Sequence, residues 1–142
     1  MSQENVEIET LAPVVFDALN RGDLDGYLSM VHPEAEFTSM IAEAEGETFR
    51  GHDGARRWWN SVRATFTEVH WDYDLVQARG DRGVAMLRIH GTLSGIEVVQ
   101  TMWQAIVLRD GKGVWWGFFR TEAEALEAVG LSEQDAHADT SS

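Results

Sequence analysis

The chain has no cysteine, only two prolines and a single lysine among its 142 residues. Each scarcity excludes something. Without cysteine there is neither a disulfide framework nor a thiolate zinc site. One lysine and ten scattered arginines stand against 24 acidic residues, and the formal charge of -13 has the wrong sign for gripping a phosphate backbone. Nucleic acid is therefore not expected as a partner. No run of about 18 apolar residues is present to span a bilayer. The opening "MSQENVEIET" lacks the basic-then-apolar layout of a signal peptide, so the expectation is a cytoplasmic protein with no membrane contact. Neither a phosphate-binding loop nor a dinucleotide glycine pattern occurs, and "GTLSG" has the wrong spacing for a nucleophile elbow. No cofactor and no metal are expected.

What is present describes one domain, residues 1–131, followed by an acidic tail, residues 132–142, expected to be mobile. Val6, Ile8, Leu11, Val15 and Leu19 recur with helical spacing and predict a first helix from about Glu4 to Asn20. Pro13 stands inside it as a point of bending or early termination. Asp23 is a natural N-cap for a second, short helix through Val31, and Pro33 ends it. "AEFTSM" alternates as a strand with Phe37 and Ser39 on one face, Glu36 and Thr38 on the other. "EAEGETFRGHDG" reads as a loop. Asp53 caps a third helix with Trp59, Val62 and Phe66 on one stripe and Trp58 at its margin. At the end "TEAEALEAVGL" predicts a short helix, opened by a Thr121–Glu124 capping box and stopped at Gly130.

Between Val69 and Arg120 lie strands whose register can be argued. A loop Gly80-Asp81-Arg82 sets Asp74 against Arg88 and Asp72 against His90, so charges meet favourably. Two-residue turns at Ser94-Gly95 and Asp110-Gly111 set Leu87 against Met102 and Met102 against Phe119. One face then carries Tyr73, Leu75, Leu87, Ile89, Gln100, Met102, Gln104, Ile106, Trp115 and Phe119. The other carries Val99, Trp103, Val107, Trp116 and Phe118. "VWWGFFR" is thus apolar on both sides. Three helices can cover the first face. For the second, an exposed aromatic patch is what monomers avoid, and the expectation is a homodimer through Val99, Trp103, Trp116 and Phe118. The alternative is that the C-terminal segment folds back over it.

The order helix, helix, strand, helix, then an antiparallel meander, together with "ALNRGDLDGYLSMVHPEAEF", "FRGHDGARRWW" and "RDGKGVWWGFFRTEAEALEAVGL", resembles the NTF2-like superfamily and in particular its SnoaL-like branch. The resemblance covers about Glu4 to Leu131. It implies an α+β cone, with three N-terminal helices packed on a curved, mostly antiparallel sheet, a short C-terminal helix and a largely apolar pocket. Ketosteroid isomerases share this fold, and aligning the Gly22-Asp23 turn places their base at Ser39, their tyrosine at Val15 and their protonated acid at Gln104. Only Gln104 can still perform its role as a donor.

The expected ligand pocket comprises Val15, Phe37, Ser39, Trp58, Trp59, Tyr73, Met102, Gln104, Trp115 and Phe119. An apolar hollow with a few hydrogen-bonding groups is the usual make-up of a small-ligand site. Three readings stay open: a homodimeric domain binding a small hydrophobic or aromatic molecule; an isomerase, cyclase, dehydratase or hydrolase whose acid/base would be Glu36, His90 or Asp72; and a structural dimerisation module with a filled interior. His70, Asp72 and Asp74 share a strand face, but same-face neighbours sit about 6.6 Å apart, too far for one strand to chelate an ion. No catalytic residue is assigned.

Overall fold

A computed structural model describes residues 8–38 and 48–131. Helix α1 (Ile8–Arg21) buries Ile8, Leu11, Phe16, Ala18 and Leu19, and runs unbroken through the exposed Pro13. It stops where Gly22 turns to φ +71°, a conformation that favours glycine. Helix α2 (Leu24–Ser29) starts at Asp23, whose carboxylate accepts the Gly26 N–H at 3.0 Å. Strand β1 (Val31–Thr38) and the three-residue β2 (Thr48–Arg50) precede α3 (Gly51–Thr65). Here β1 begins earlier than expected, taking up Val31, His32 and Pro33. Part of the expected loop is β2, and Asp53 sits inside the first turn of α3 rather than capping it. Strands β3 (Val69–Arg79), β4 (Arg82–Leu93), β5 (Ile96–Arg109) and β6 (Lys112–Phe119) form a meander, closed by α4 (Glu122–Ala128).

The six strands make one sheet in the order β2-β1-β6-β5-β4-β3, antiparallel except for β1 beside β6. Its concave face holds α1, α2 and α3 over a core that includes Phe37, Leu87, Ile89 and Met102. Arg63 of α3 donates to the Leu19 carbonyl at 2.6 Å while lying over the Trp59 ring, which fastens α3 to the end of α1. Asn20 clasps the outer edge of β3: its Oδ1 accepts the Trp71 N–H at 2.7 Å, and its Nδ2 donates to the Trp71 carbonyl at 3.0 Å.

Register decides which residues face the helices. The turn at Ser94-Gly95 has both residues at positive φ and sets Leu87 opposite Met102, as read from the sequence. The turn at Asp110-Gly111 is also as expected, but β6 then inserts Val114 as a bulge. An extra residue flips every side chain beyond it. Trp116 and Phe118 consequently point inward, 5% and 7% exposed, while Trp115 and Phe119 point outward. Both are corrections: neither Trp115 nor Phe119 lies on the pocket side, and neither Trp116 nor Phe118 is on the outer face. In the β3–β4 hairpin the turn is Gly80-Asp81 with Arg79 opposite Arg82, and the bulge is at Val76. Asp72 therefore pairs with Arg88 and Asp74 with Met86, not with His90 and Arg88.

The outer face is not bare. Ala125 and Leu126 of α4, with Val129 and Leu131, pack on Val84 and Ala105, against half-buried Val76, Trp103, Val107, Trp115 and Phe119. Gly117 and Ala105 pair between the flanking rings and leave the room for this; a Cβ on Gly117 would stand 3.2 Å from Trp115 and 3.3 Å from Phe119. Thr121 caps α4 by accepting the Glu124 N–H at 3.2 Å. The fold-back alternative thus holds for this half of the face. Of the four residues expected at a dimer contact, Val99 alone is well exposed, and Trp103 is half-buried.

Candidate functional site

The hollow between α1 and the concave face contains a cavity of about 60 Å³. Sized by the centres of water molecules, that is room for roughly four to six of them at about 10–15 Å³ each. Its aromatic lining, Trp58, Trp71, Trp116 and Phe118 among others, is backed by a lattice of buried rings. Phe37 stacks on Trp116 at 4.4 Å and on Phe49 at 5.2 Å, and Trp58 meets Phe37 edge-on at 6.1 Å. Trp58 and Trp71 are tilted against each other at 5.7 Å. The aliphatic side comes from α1, and half-buried Ala12 and Val15 with Leu75, 36% exposed, mark the cavity's most open side.

Five polar groups belong to the described lining residues: the Tyr27 hydroxyl, the Gln104 amide and the indole N–H groups of Trp58, Trp71 and Trp116. Burial pushes the Tyr27 phenol well above its ordinary value, so it is a neutral donor throughout the physiological range. The Trp71 Nε1–H is closed to water and has no acceptor among the described residues. No carboxylate, imidazole or cation stands among the described lining residues. All three acid/base candidates are accordingly placed elsewhere: Glu36 is exposed and lies 3.9 Å from Arg50, and His90 and Asp72 meet on the outer side of the sheet.

A separate, open groove runs along the β3 edge, lined by Phe16, Asp17, Asn20, His70, Asp72 and Arg88 among others. Here Asp72 accepts from the Nε2 atoms of His70 and His90, both at 3.0 Å, and Arg88 pairs with Asp74 at 3.2 Å. The expected Asp72–His90 contact exists, but as a diagonal pair on the outer side of the sheet, shared with His70. These groups pair with one another while staying 37–67% exposed, the setting of solvated surface pairs.

Of the ten expected pocket residues, Val15, Trp58 and Gln104 line the cavity. Phe37, Trp59 and Met102 are buried in the surrounding core without reaching it. Tyr73 stacks on Phe16 at 4.4 Å and belongs to the edge groove, where burial raises its pKa more modestly. Ser39 lies outside the described residues. The wall also includes Tyr27, Trp71, Trp116 and Phe118, which the sequence reading left out. Trp71 was recoverable, because the alternation that points Tyr73 inward points its second neighbour the same way. Trp116 and Phe118 were hidden by the Val114 bulge.

The SnoaL-like domain pattern matches residues 15–118 of the chain. No curated protein matches it by sequence. An NTF2-like protein of unknown function from Burkholderia pseudomallei superposes with a TM-score of 0.70 at 20% identity, over 92% of this chain and 100% of that one. The IdmH 96-104 loop truncation variant gives 0.65 at 25% identity, over 86% and 98%. TerC co-crystallised with polyporic acid gives 0.67 at 21% identity, over 82% and 92%.

Proposed function

The chain belongs to the SnoaL-like domain family, and from that premise we propose that it binds a small, neutral, largely apolar ring compound in the cavity under α1. The wall carries the reading. Aromatic and aliphatic side chains surround a space larger than one water, and the polar groups on it are uncharged. Such a wall rewards burial of apolar surface and penalises an ion left without a counter-charge. The volume favours one ring or two fused rings over a steroid, which would have to displace α1. TerC, of the same fold, was crystallised with polyporic acid, and that supports a ligand-binding role for this architecture.

No reaction is part of the proposal. Tyr27 is the one titratable group among the described lining residues, and its burial holds it protonated. Titrating tryptophan fluorescence with one- and two-ring aromatics tests the reading, since Trp58, Trp71 and Trp116 all stand on the wall. A saturable change with these compounds and none with a steroid is expected. A flat response to every one- and two-ring compound would reject it.

A further inference from the structure

Resting on that reading of the cavity, we propose that the Tyr27 hydroxyl on α2 anchors the ligand, donating to a neutral oxygen that the ring compound carries. Tyr27 is 5% exposed, and its ring is held against Trp58 at 5.9 Å and Trp59 at 5.3 Å. Burial alone raises its pKa, with no hydrogen bond contributing, so the phenol has no partner among the described residues. It differs in this from the Trp71 Nε1–H, which is both unpartnered and closed to water. The Tyr27 oxygen is not closed in that way, and the open space that Tyr27 lines is the cavity. A buried donor without a partner calls for an explanation, and one that faces a hollow finds it in whatever fills the hollow.

Water can meet that hydroxyl, but the wall suits water poorly. A buried water makes about three hydrogen bonds, and most side chains around the cavity are aliphatic or aromatic. A ring compound that displaces the water gains apolar burial, yet it forfeits the Tyr27 bond unless it brings an acceptor of its own. A carboxylate would enter a site with no cation among its described lining residues, at the cost of stripping its hydration. A carbonyl or ether oxygen accepts without bringing a charge. Gln104 is the competing donor on the wall, but it is only half-buried, so solvent can replace a bond that it loses. Tyr27 thus separates ring compounds of one shape by whether they present a neutral oxygen.

The test is calorimetric titration of wild type, Tyr27→Phe and Gln104→Leu with acetophenone and with α-methylstyrene, in which a methylene replaces the carbonyl oxygen at nearly the same shape. Tyr27→Phe keeps the packed ring and should weaken acetophenone about tenfold more than α-methylstyrene; Gln104→Leu should change the two alike. Equal changes for the two compounds in Tyr27→Phe, or a preference that Gln104→Leu abolishes instead, would overturn the assignment of Tyr27 while leaving the cavity reading intact. Failure of wild type to bind either compound would remove the cavity reading as well. A second measurement needs no variant and so survives any folding defect. The carbonyl stretch of isotope-labelled acetophenone should lie at lower frequency in the complex than in hexane; a hexane-like frequency in the bound state counts against the proposal. Benzoate binding as tightly as acetophenone would refute the requirement for a neutral oxygen.

Discussion

Two of the three hairpins of the β3–β6 meander carry a bulge, and the two affect the inside-outside pattern in opposite ways. In β3–β4 the turn is one residue shorter than charge pairing suggests, and the bulge at Val76 adds a further shift. The two displacements sum to an even number, so Leu87 and Ile89 still face the core. In β5–β6 the turn is as read, but the single bulge at Val114 leaves an odd shift. Trp116 and Phe118 exchange faces with Trp115 and Phe119. What matters for a side chain's face is the parity of the accumulated shift, not the correctness of the turn.

The contrast can be broken most sharply inside "VWWGFF". Trp116→Ala, which empties a stacked position in the core, should cost about 3–5 kcal/mol, and Trp115→Ala about half of that or less, by urea denaturation. Equal losses would put the bulge in the wrong place. Next comes the cover over the outward half: Leu126, 0% exposed in α4, should cost about 2–5 kcal/mol when changed to Ala. A neutral result would detach α4 from the sheet.

A smaller effect reads the enclosure that the inward Trp116 completes. The folded-state pKa of Tyr27 lies above its unfolded value of about 10. Above pH 10 the unfolded chain therefore releases a proton that the folded one keeps, and stability should fall as pH rises, by up to about 1.4 kcal/mol per unit. Tyr27→Phe should remove most of that slope, the remainder coming from Tyr73, raised in the same direction. A slope unchanged in Tyr27→Phe would mean a wetted hollow. Smallest of all, Asp72→Asn should shift stability by less than about 1 kcal/mol, because the carboxylate and both imidazole partners are 44–59% exposed. A loss of several kcal/mol would make the β3–β4 charges structural rather than solvated.

Much of the architecture was legible because it rests on local chemistry. Asp23 and Thr121 cap where short polar side chains cap best, and the Ser94-Gly95 and Asp110-Gly111 turns take the positive φ angles their composition invites. The cavity wall was legible only where a strand runs without interruption, as at Gln104 on β5, or where a helix supplies the residue, as at Val15 and Trp58. Bulges are tertiary decisions. At Val114 no sequence alternation exists to reveal one, since the segment is apolar on both faces and either assignment of Trp115 and Trp116 buries a ring. Tyr27 falls inside the short second helix, and nothing local reports that it lines the hollow.

The clasp that Asn20 makes on Trp71 has a consequence for how this molecule can meet others. β3 is a boundary strand eleven residues long, the kind of rim on which a foreign extended chain can template itself. One amide from α1 occupies the Trp71 N–H and carbonyl on that rim, while the opposite boundary, β2, is only three residues long. Lateral recruitment of further strands is thereby discouraged at both ends, and replacing Asn20 with leucine should show itself first as slow fibrillar association rather than as loss of ligand.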